Sequence, residues 1–289
     1  MSILFSIVTP SLNQGRFIER SIRSVLSQEG DFRVDYIIVD GGSSDETLAI
    51  IKEYDCLLQN GRLPIKCNGV SIRWSSEQDH GQSHAINKGF TQARGEIYAW
   101  LNSDDYYSDG ALSVIADYAK LHPEAEAFVG GGEMRDLDGN LVQYKPAFDV
   151  DPETLFGWIN QYFYQPSCFF RRNAWQKCGP LEEWLEYAMD LDLWIKIAKK
   201  FKFVPVVEML STSQRHAAAK TTACWHLTAM EVALVIASYG GIKTVRADYG
   251  QFIDSKAKEH RQQVSQILNS RSWKITLPLR LLAEWYRKI

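Results

Sequence analysis

Cysteine is scarce: there are five in 289 residues, and no two of Cys56, Cys67, Cys168, Cys178 and Cys224 form a C-x-x-C pair. An odd, scattered set of thiols gives neither a zinc-ligand cluster nor a disulfide framework. Charge of one sign is also missing. Thirty-two Lys and Arg against 35 Asp and Glu leave a formal net charge of -3, so no broad field gathers nucleic acid. Long hydrophobic runs are absent too. The most apolar later stretch, residues 223–238, carries His226 and Glu231 and falls short of the ~20 residues that cross a bilayer, so it is expected to be a buried helix. Repeats and low-complexity tracts are lacking, and 45% apolar with 23% charged residues excludes disorder for the bulk of the chain. The opening MSILFSIVTPSLNQ has no basic leader and reaches Pro10 after a short apolar run. It reads as a first strand rather than a signal peptide, and the expected location is a reducing cytoplasm.

What is present is an alternation of apolar strands and amphipathic helices. Residues 3–9 (ILFSIVT) read as a buried strand ending in Pro-Ser-Leu-Asn, followed by a helix with Phe17, Ile18, Ile22, Val25 and Leu26 on one face. A second strand, 36–39, runs into Asp40-Gly-Gly-Ser-Ser-Asp45 and a helix from about Glu46. This β-α-β-α order with continuous apolar strands predicts a mostly parallel, Rossmann-like sheet covered by helices on both faces. Right-handed crossovers then bring the strand ends, Thr9 and Asp40 among them, to one rim, where such sheets bind ligands. The pattern continues with a strand at 71–75, a helix at 83–92, and a strand at 97–101 that enters Asn102-Ser103-Asp104-Asp105, then a helix over 110–121. After His122-Pro123 the character changes. A short strand at 127–130 and a Gly139-Asn140 turn before LVQY predict a mixed or antiparallel second half, with strands at 165–170 and 203–209 around a helix at 191–200. From 217 onward the chain reads as helical.

Asp104 and Asp105 are the strongest chemical signal. Two adjacent carboxylates at a strand end are expensive to desolvate unpaired, and a hard divalent cation is the usual reason to place them there. A solvated turn with an Asp at a helix N-cap would look the same in isolation.

Four segments occur in order: SIVTPSLNQGRFIERSIRSVLSQ, VDGGSSDET, SEQDHGQSHAINKGF and ARGEIYAWLNSDDYY. Together they resemble the family-2 glycosyltransferases of the GT-A fold, in particular bacterial members that read T-P-S-x-N-Q and V-D-G-G-S. The resemblance spans roughly residues 3–222. It implies that Thr9, Pro10 and Ser11 line a nucleotide pocket, and that Asp40 binds the base or ribose. Many relatives carry an acid at the next position, which here is Gly41. Asp79 would reach the nucleoside from its own loop, unless it is only a turn acid. Asp104 would lie toward the ribose and Asp105 would ligate Mg2+ or Mn2+. His84 stands where close relatives have an acid, and no role attaches to it.

In the second half, Gln165-Pro166-Ser167 before Phe-Phe-Arg-Arg resembles the family's acceptor-side strand. Residues 187–194 (YAMDLDLW) resemble its E-D-x-D-L-W signature, with Met189 in place of Glu and Asp190 at the catalytic base. Helix capping is the alternative for either acid, and Asp192 is expected to be the cap. Arg215-His216 and Lys220-Thr221 resemble the stretch that closes over the diphosphate, with His216 a metal or phosphate ligand and Lys220 a phosphate partner. The resemblance thus implies metal-dependent, inverting transfer of a sugar from a nucleoside diphosphate to the hydroxyl of a glycan or lipid-linked acceptor, in cell-surface polysaccharide or glycolipid synthesis. The domain expectation is 1–222, split near 105 into donor and acceptor halves, with a helical extension over 223–289. A nucleotidyltransferase would need a Gly-rich loop and a basic residue at the first strand end. A silent sugar-nucleotide binding module would not need Asp105 and Asp190.

The tail, SWKITLPLRLLAEWYRKI from Ser272, has Pro278 at a natural helix start and Leu282, Trp285, Tyr286 and Ile289 on one face, with Arg280, Arg287 and Lys288 elsewhere. Such a helix suits peripheral contact with the inner face of a membrane, packing on the protein's own body, or a second copy of the chain.

Overall fold

The computed structural model describes residues 2–217, 219–220, 224–270 and 273. The first half contains β1 (Ile3–Ser11), α1 (Ile18–Leu26), β2 (Glu29–Gly30), β3 (Phe32–Asp40), α2 (Thr47–Gln59), β4 (Lys66–Cys67), β5 (Val70–Ser76), α3 (Gln82–Gln92) and β6 (Ile97–Trp100). The second continues with β7 (Tyr106–Tyr107), α4 (Ala111–Leu121), β8 (Ala127–Arg135), β9 (Leu141–Lys145), α5 (Pro152–Phe156), a 3-10 turn (Gln165–Ser167), β10 (Cys168–Arg171), α6 (Arg172–Cys178), α7 (Met189–Ala198), β11 (Phe203–Gln214) and α8 (Trp225–Ser238). A helix of 28 residues, α9 (Ile242–Asn269), ends the described chain.

The main sheet has nine strands in the order β5-β3-β1-β6-β10-β8-β11-β7, with β9 added to β8. Strands β5, β3, β1 and β6 are all parallel; β1 and β6 are buried along almost their whole length, while β5, at the end of the strand order, is only partly covered. β10 enters antiparallel between β6 and β8, so the second half is mixed. Register aligns Ser11 with Asp40 and Asp40 with Ser76, and Val8 with Trp100. The carboxyl ends of four strands therefore meet at one rim, and the loop Asn102–Asp105 opens onto it.

Ile18, Ile22, Val25 and Leu26 of α1 are buried in the same core as Phe5, Ile7, Tyr36 and Ile38. On the other face α3 lies close to β1: a Cβ on Gly89 would stand 2.5 Å from Val8 Cγ1, so only glycine lets helix and strand approach this far. At the amino ends of the strands, buried Asp35 accepts from Arg73 Nη2 on both oxygens (2.6 and 2.7 Å), from Ser6 Oγ (2.8 Å) and from the Arg94 amide (3.1 Å). The buried charge is thereby both paired and hydrogen-bonded. Trp100 of β6 and Trp194 of α7 stack with ring centroids 5.2 Å apart and planes at 12°, tying α7 to the middle of the sheet.

Two expectations are corrected. Residues 165–167 form a 3-10 turn rather than the start of a strand, because Pro166 has no amide to give a ladder, and β10 begins at Cys168. Helix α8 is half-buried rather than buried: Val232, Val235 and Ile236 are covered, while Met230 and Leu234 are both 53% exposed. The chain divides into compact units at Gly240 and Gly241, so α8 belongs to the first. In the second unit, α9 exposes Ile253, Val264 and Ile267 and pairs Lys256 with Glu259. Apart from Trp273, the tail from Ser272 lies outside the described residues. Among the described residues no helix is long and apolar enough to cross a membrane.

Candidate active site

The loops after β1 and β3 are stitched together by short polar side chains. Asn13, in the left-handed region at φ 53°, donates its amide to Ser43 Oγ (2.7 Å) and accepts from the Ser44 amide (2.9 Å). The Gly15 amide donates to Asp45 Oδ2 at 2.9 Å. Asp40 is fully buried, and its Oδ2 accepts from the amides of Gly42 and Ser43 and from Ser76 Oγ at 2.6 Å. Asp40 thus organises its own loop. Thr9 is likewise buried, its hydroxyl shared with Tyr36 at 3.0 Å, and burial pushes the Tyr36 phenol up so that it stays protonated. Pro10 pairs with Val39 between them. Ser11 Oγ, by contrast, is buried at the rim and has no hydrogen-bond partner among the described residues.

Asp79 accepts from the Gly81 amide at 2.9 Å, and its Oδ2 lies 2.8 Å from where a Cβ on Gly41 would stand. The missing side chain at Gly41 is what admits Asp79 beside Asp40. A second acid at position 41 would collide with Asp79 and repel it.

Asp105 is buried at 6% exposure. Its carboxylate accepts from the Gln214 amide and from Asn102 Nδ2, both at 3.3 Å, and from the Ser213 hydroxyl. Burial first, and then the Asp104 carboxylate, raises Asp105 well above the ordinary range. Among the described residues no Lys or Arg pairs with it, which is the environment that a bound cation would relieve. Asp104 is more open and is held by His216 Nε2 at 3.0 Å, whose ring stacks on Phe17 at 4.5 Å. His216, expected at the metal, is therefore bonded to Asp104. No group of three or more His, Cys, Asp or Glu among the described residues is arranged to hold a metal alone. Hard cations on diphosphates commonly take one or two carboxylates and complete their shell with phosphate oxygens and water, and the Asp104–Asp105 pair fits that pattern.

The loop after β6 is joined to the 3-10 turn at Gln165 by Asn102, which the sequence reading passed over. Asn102 accepts from Gln82 Nε2 at 2.7 Å and donates to Gln165 Oε1 at 3.3 Å as well as to Asp105. Gln165 donates in turn to the Trp100 carbonyl at 2.8 Å. Its place at the head of N-S-D-D was the one available signal.

Asp190 is half-buried in the first turn of α7, and burial pushes its carboxyl up to about 6 against the Leu191 amide, which donates to it at 2.7 Å. It stands close to β10: the Cys168 thiol is pushed up by burial and, after that, by the Asp190 charge. A carboxyl near neutrality suits a general base. Asp192 is not the cap. It lies a turn inside the helix and bonds Tyr239 and Lys196, both at 2.8 Å. The start of α7 has no side-chain cap of its own; the amides of Glu186, Tyr187 and Ala188 donate instead to Glu231 of α8. Lys220 is exposed shortly after β11.

A mixed sheet with a nucleotide-type rim and a paired-carboxylate loop is the GT-A arrangement of sugar-nucleotide enzymes. The family model for glycosyl transferase family 2 matches residues 6–178, more than half of the chain, and the chain belongs to that family. An uncharacterized glycosyltransferase of Rickettsia prowazekii is 27% identical over 226 residues, 76% of this chain and 66% of that protein. A PGL/p-HBAD biosynthesis glycosyltransferase of Mycobacterium bovis is 28% identical over 179 residues, 61% of this chain and 62% of that protein. The chain thus spans less than two thirds of the relatives' length. Among solved structures, S. aureus TarS 1-349 with UDP-GlcNAc superposes with a TM-score of 0.60 at 17% identity, covering 81% of this chain and 66% of that one. The mannosyltransferase PcManGT from Pyrobaculum calidifontis, with GDP-Man and Mn2+, gives 0.57 at 13% identity over 95% and 83% of the two chains.

Proposed function

We propose that this glycosyltransferase moves a sugar from a nucleoside diphosphate onto an acceptor hydroxyl with inversion, using a divalent cation. The observation that carries the reading is a buried carboxylate, Asp105, with no Lys or Arg partner among the described residues, together with a second carboxyl, Asp190, that burial raises to about 6. Asp105 would hold Mn2+ or Mg2+, and Asp104, steadied by His216, faces the ribose. The ion's contribution is to offset the charge that grows on the departing diphosphate. Ser11, Asp40 and Asp79 bound the nucleoside pocket, with Thr9 and Pro10 behind them, and Lys220 pairs with phosphate. The neighbours crystallised with UDP-GlcNAc and with GDP-Man and Mn2+ support a nucleotide-sugar donor and a cation.

On the other side, Asp190 takes the proton from the acceptor hydroxyl as its oxygen bonds the anomeric carbon. The bond from that carbon to the phosphate oxygen breaks on the opposite face, and its electron pair leaves with the diphosphate. No covalent sugar-enzyme intermediate is needed. Gln165, through Asn102, keeps the acceptor side in register with the donor loop. An acceptor from polysaccharide or glycolipid synthesis fits the relative named for PGL/p-HBAD biosynthesis.

A screen of nucleotide sugars for diphosphate release identifies the donor. With that donor, Asp190→Asn lowers transfer by ~100- to 10,000-fold at unchanged donor affinity, since the amide cannot accept the proton. Asp105→Asn removes metal-stimulated donor binding while the protein still melts cooperatively. Retained transfer by Asp190→Asn, or a product with the donor's anomeric configuration, rejects the inverting base.

A further inference from the structure

The segment that delivers Asp190 has little local structure to hold it. Between Cys178 and Met189 the chain forms neither helix nor strand, and Ala188, at the N-cap position of α7, has no side chain with which to cap. Amides at a helix entrance need partners from elsewhere. A single carboxylate supplies three in a row. Glu231 Oε2 accepts from the amides of Glu186 (3.1 Å), Tyr187 (2.7 Å) and Ala188 (3.1 Å), and Oε1 accepts again from Glu186 at 3.2 Å. Tyr187 precedes Asp190 by three residues. A negative charge at this place also faces the positive end of the α7 dipole, and charge-assisted bonds of this kind are about twice as strong as neutral ones.

The same helix grips α7 a second time. Just beyond the end of α8, the Tyr239 hydroxyl donates to Asp192 Oδ1 at 2.8 Å, and Lys199 lies over the Tyr239 ring at 4.7 Å. Helix α8 therefore touches α7 at its entrance and again along its body. All of these residues lie beyond residue 178, where the family match ends.

We infer that α8 is a clamp for the acceptor-side base, with Glu231 a positioning residue that fixes where Asp190 presents its carboxylate. Tyr239 is the second anchor. The inference rests on Asp190 being the base. Glu231 spends its carboxylate on the amides at the entrance of α7, and displacement of a base by about 1 Å can cost ~100-fold in rate.

The test compares the full chain with Glu231→Ala, Glu231→Gln and Tyr239→Phe, with Asp190→Asn alongside. Three quantities are measured below the melting transition: amide hydrogen exchange across 186–192, affinity for the diphosphate released from the donor found in the screen, and transfer kcat. Glu231→Ala is expected to speed exchange in that segment and lower kcat by roughly 10- to 100-fold at unchanged diphosphate affinity. Glu231→Gln keeps one acceptor oxygen and restores part of the rate, and Tyr239→Phe shows a smaller fall. Wild-type kcat in Glu231→Ala, whatever its melting temperature, overturns the clamp, as does a fall in kcat matched by an equal loss of diphosphate affinity. If Glu231→Ala does not fold, the Gln variant decides by the same two criteria. An inactive Asp190→Asn with an unimpaired Glu231→Ala rejects the clamp alone. An active Asp190→Asn rejects the base assignment on which it rests.

Discussion

Burial gives Asp190 two opposite duties. As the proposed base it would work only when ionised, so kcat/KM should rise with pH through about 6 and level off above it. For stability the sign reverses. Its folded pKa exceeds the unfolded value of ~3.9, so its contribution is fully favourable below ~3.9 and is lost as pH rises through about 6. Asp190→Asn should therefore be more stable than the parent at pH 8 by up to about 2–3 kcal/mol and melt higher, with the gap closing below pH 4. A pH series of melting curves on the two proteins checks this, and an equal gap at both ends refutes it. Its place in the first turn of α7 was legible from Y-A-M-D-L-D-L-W, but the difference from its neighbour was not. Asp190 and Asp192 look alike in sequence as helix-start acids. What separates them is that Asp192 finds Lys196 one turn on and Tyr239 in a distant element. Asp40 shows the same limit. Its place at a strand end could be read, whereas the saturation of its carboxylate by Gly42, Ser43 and Ser76 depends on how the loop closes.

Among elements, those whose burial is continuous were the most readable. β1 and β6 appear where unbroken apolar runs put them, since strands covered on both faces carry no polar alternation, whereas β3 starts at Phe32, four residues before the apolar run 36–39, a start hidden because Arg33 and Asp35 interrupt its first half. β7 is two residues long and exists because Tyr106 and Tyr107 pair with Thr212 and Ser211, far along the chain, so no local signal announces it. The Asp35 cluster belongs to this scale, because it ties β1, β3, β5 and the turn before β6 through one carboxylate. Arg73→Ala would leave that charge buried and uncompensated. The expected loss is about 3 kcal/mol in chemical denaturation, at the low end for buried pairs because the guanidinium is partly solvated. A change below ~0.5 kcal/mol would mean that Ser6 and the Arg94 amide suffice. Nucleotide affinity should not follow, since the cluster sits at the end of the strands away from the rim.

For the whole molecule, the loops that carry Ser11, Asp40, Asp79 and Asp105 follow one another in the first part of the chain and their places at strand ends could be read motif by motif, while Gln165, Asp190 and Glu231 lie on elements far apart in sequence. Only the sheet and the helices packed on it bring these together. The stacked pair Trp100 and Trp194 spans that same join, from two residues before Asn102 to four residues after Asp190. Two indoles nearly parallel at 5.2 Å share their electronic excitation, so the pair should give a split circular dichroism band that neither ring gives alone. Trp194→Phe should erase the band while leaving the backbone signal intact. The protein thus carries its own optical gauge: light absorbed at the seam between β6 and α7 reports, without any label, whether helix and sheet are seated against each other.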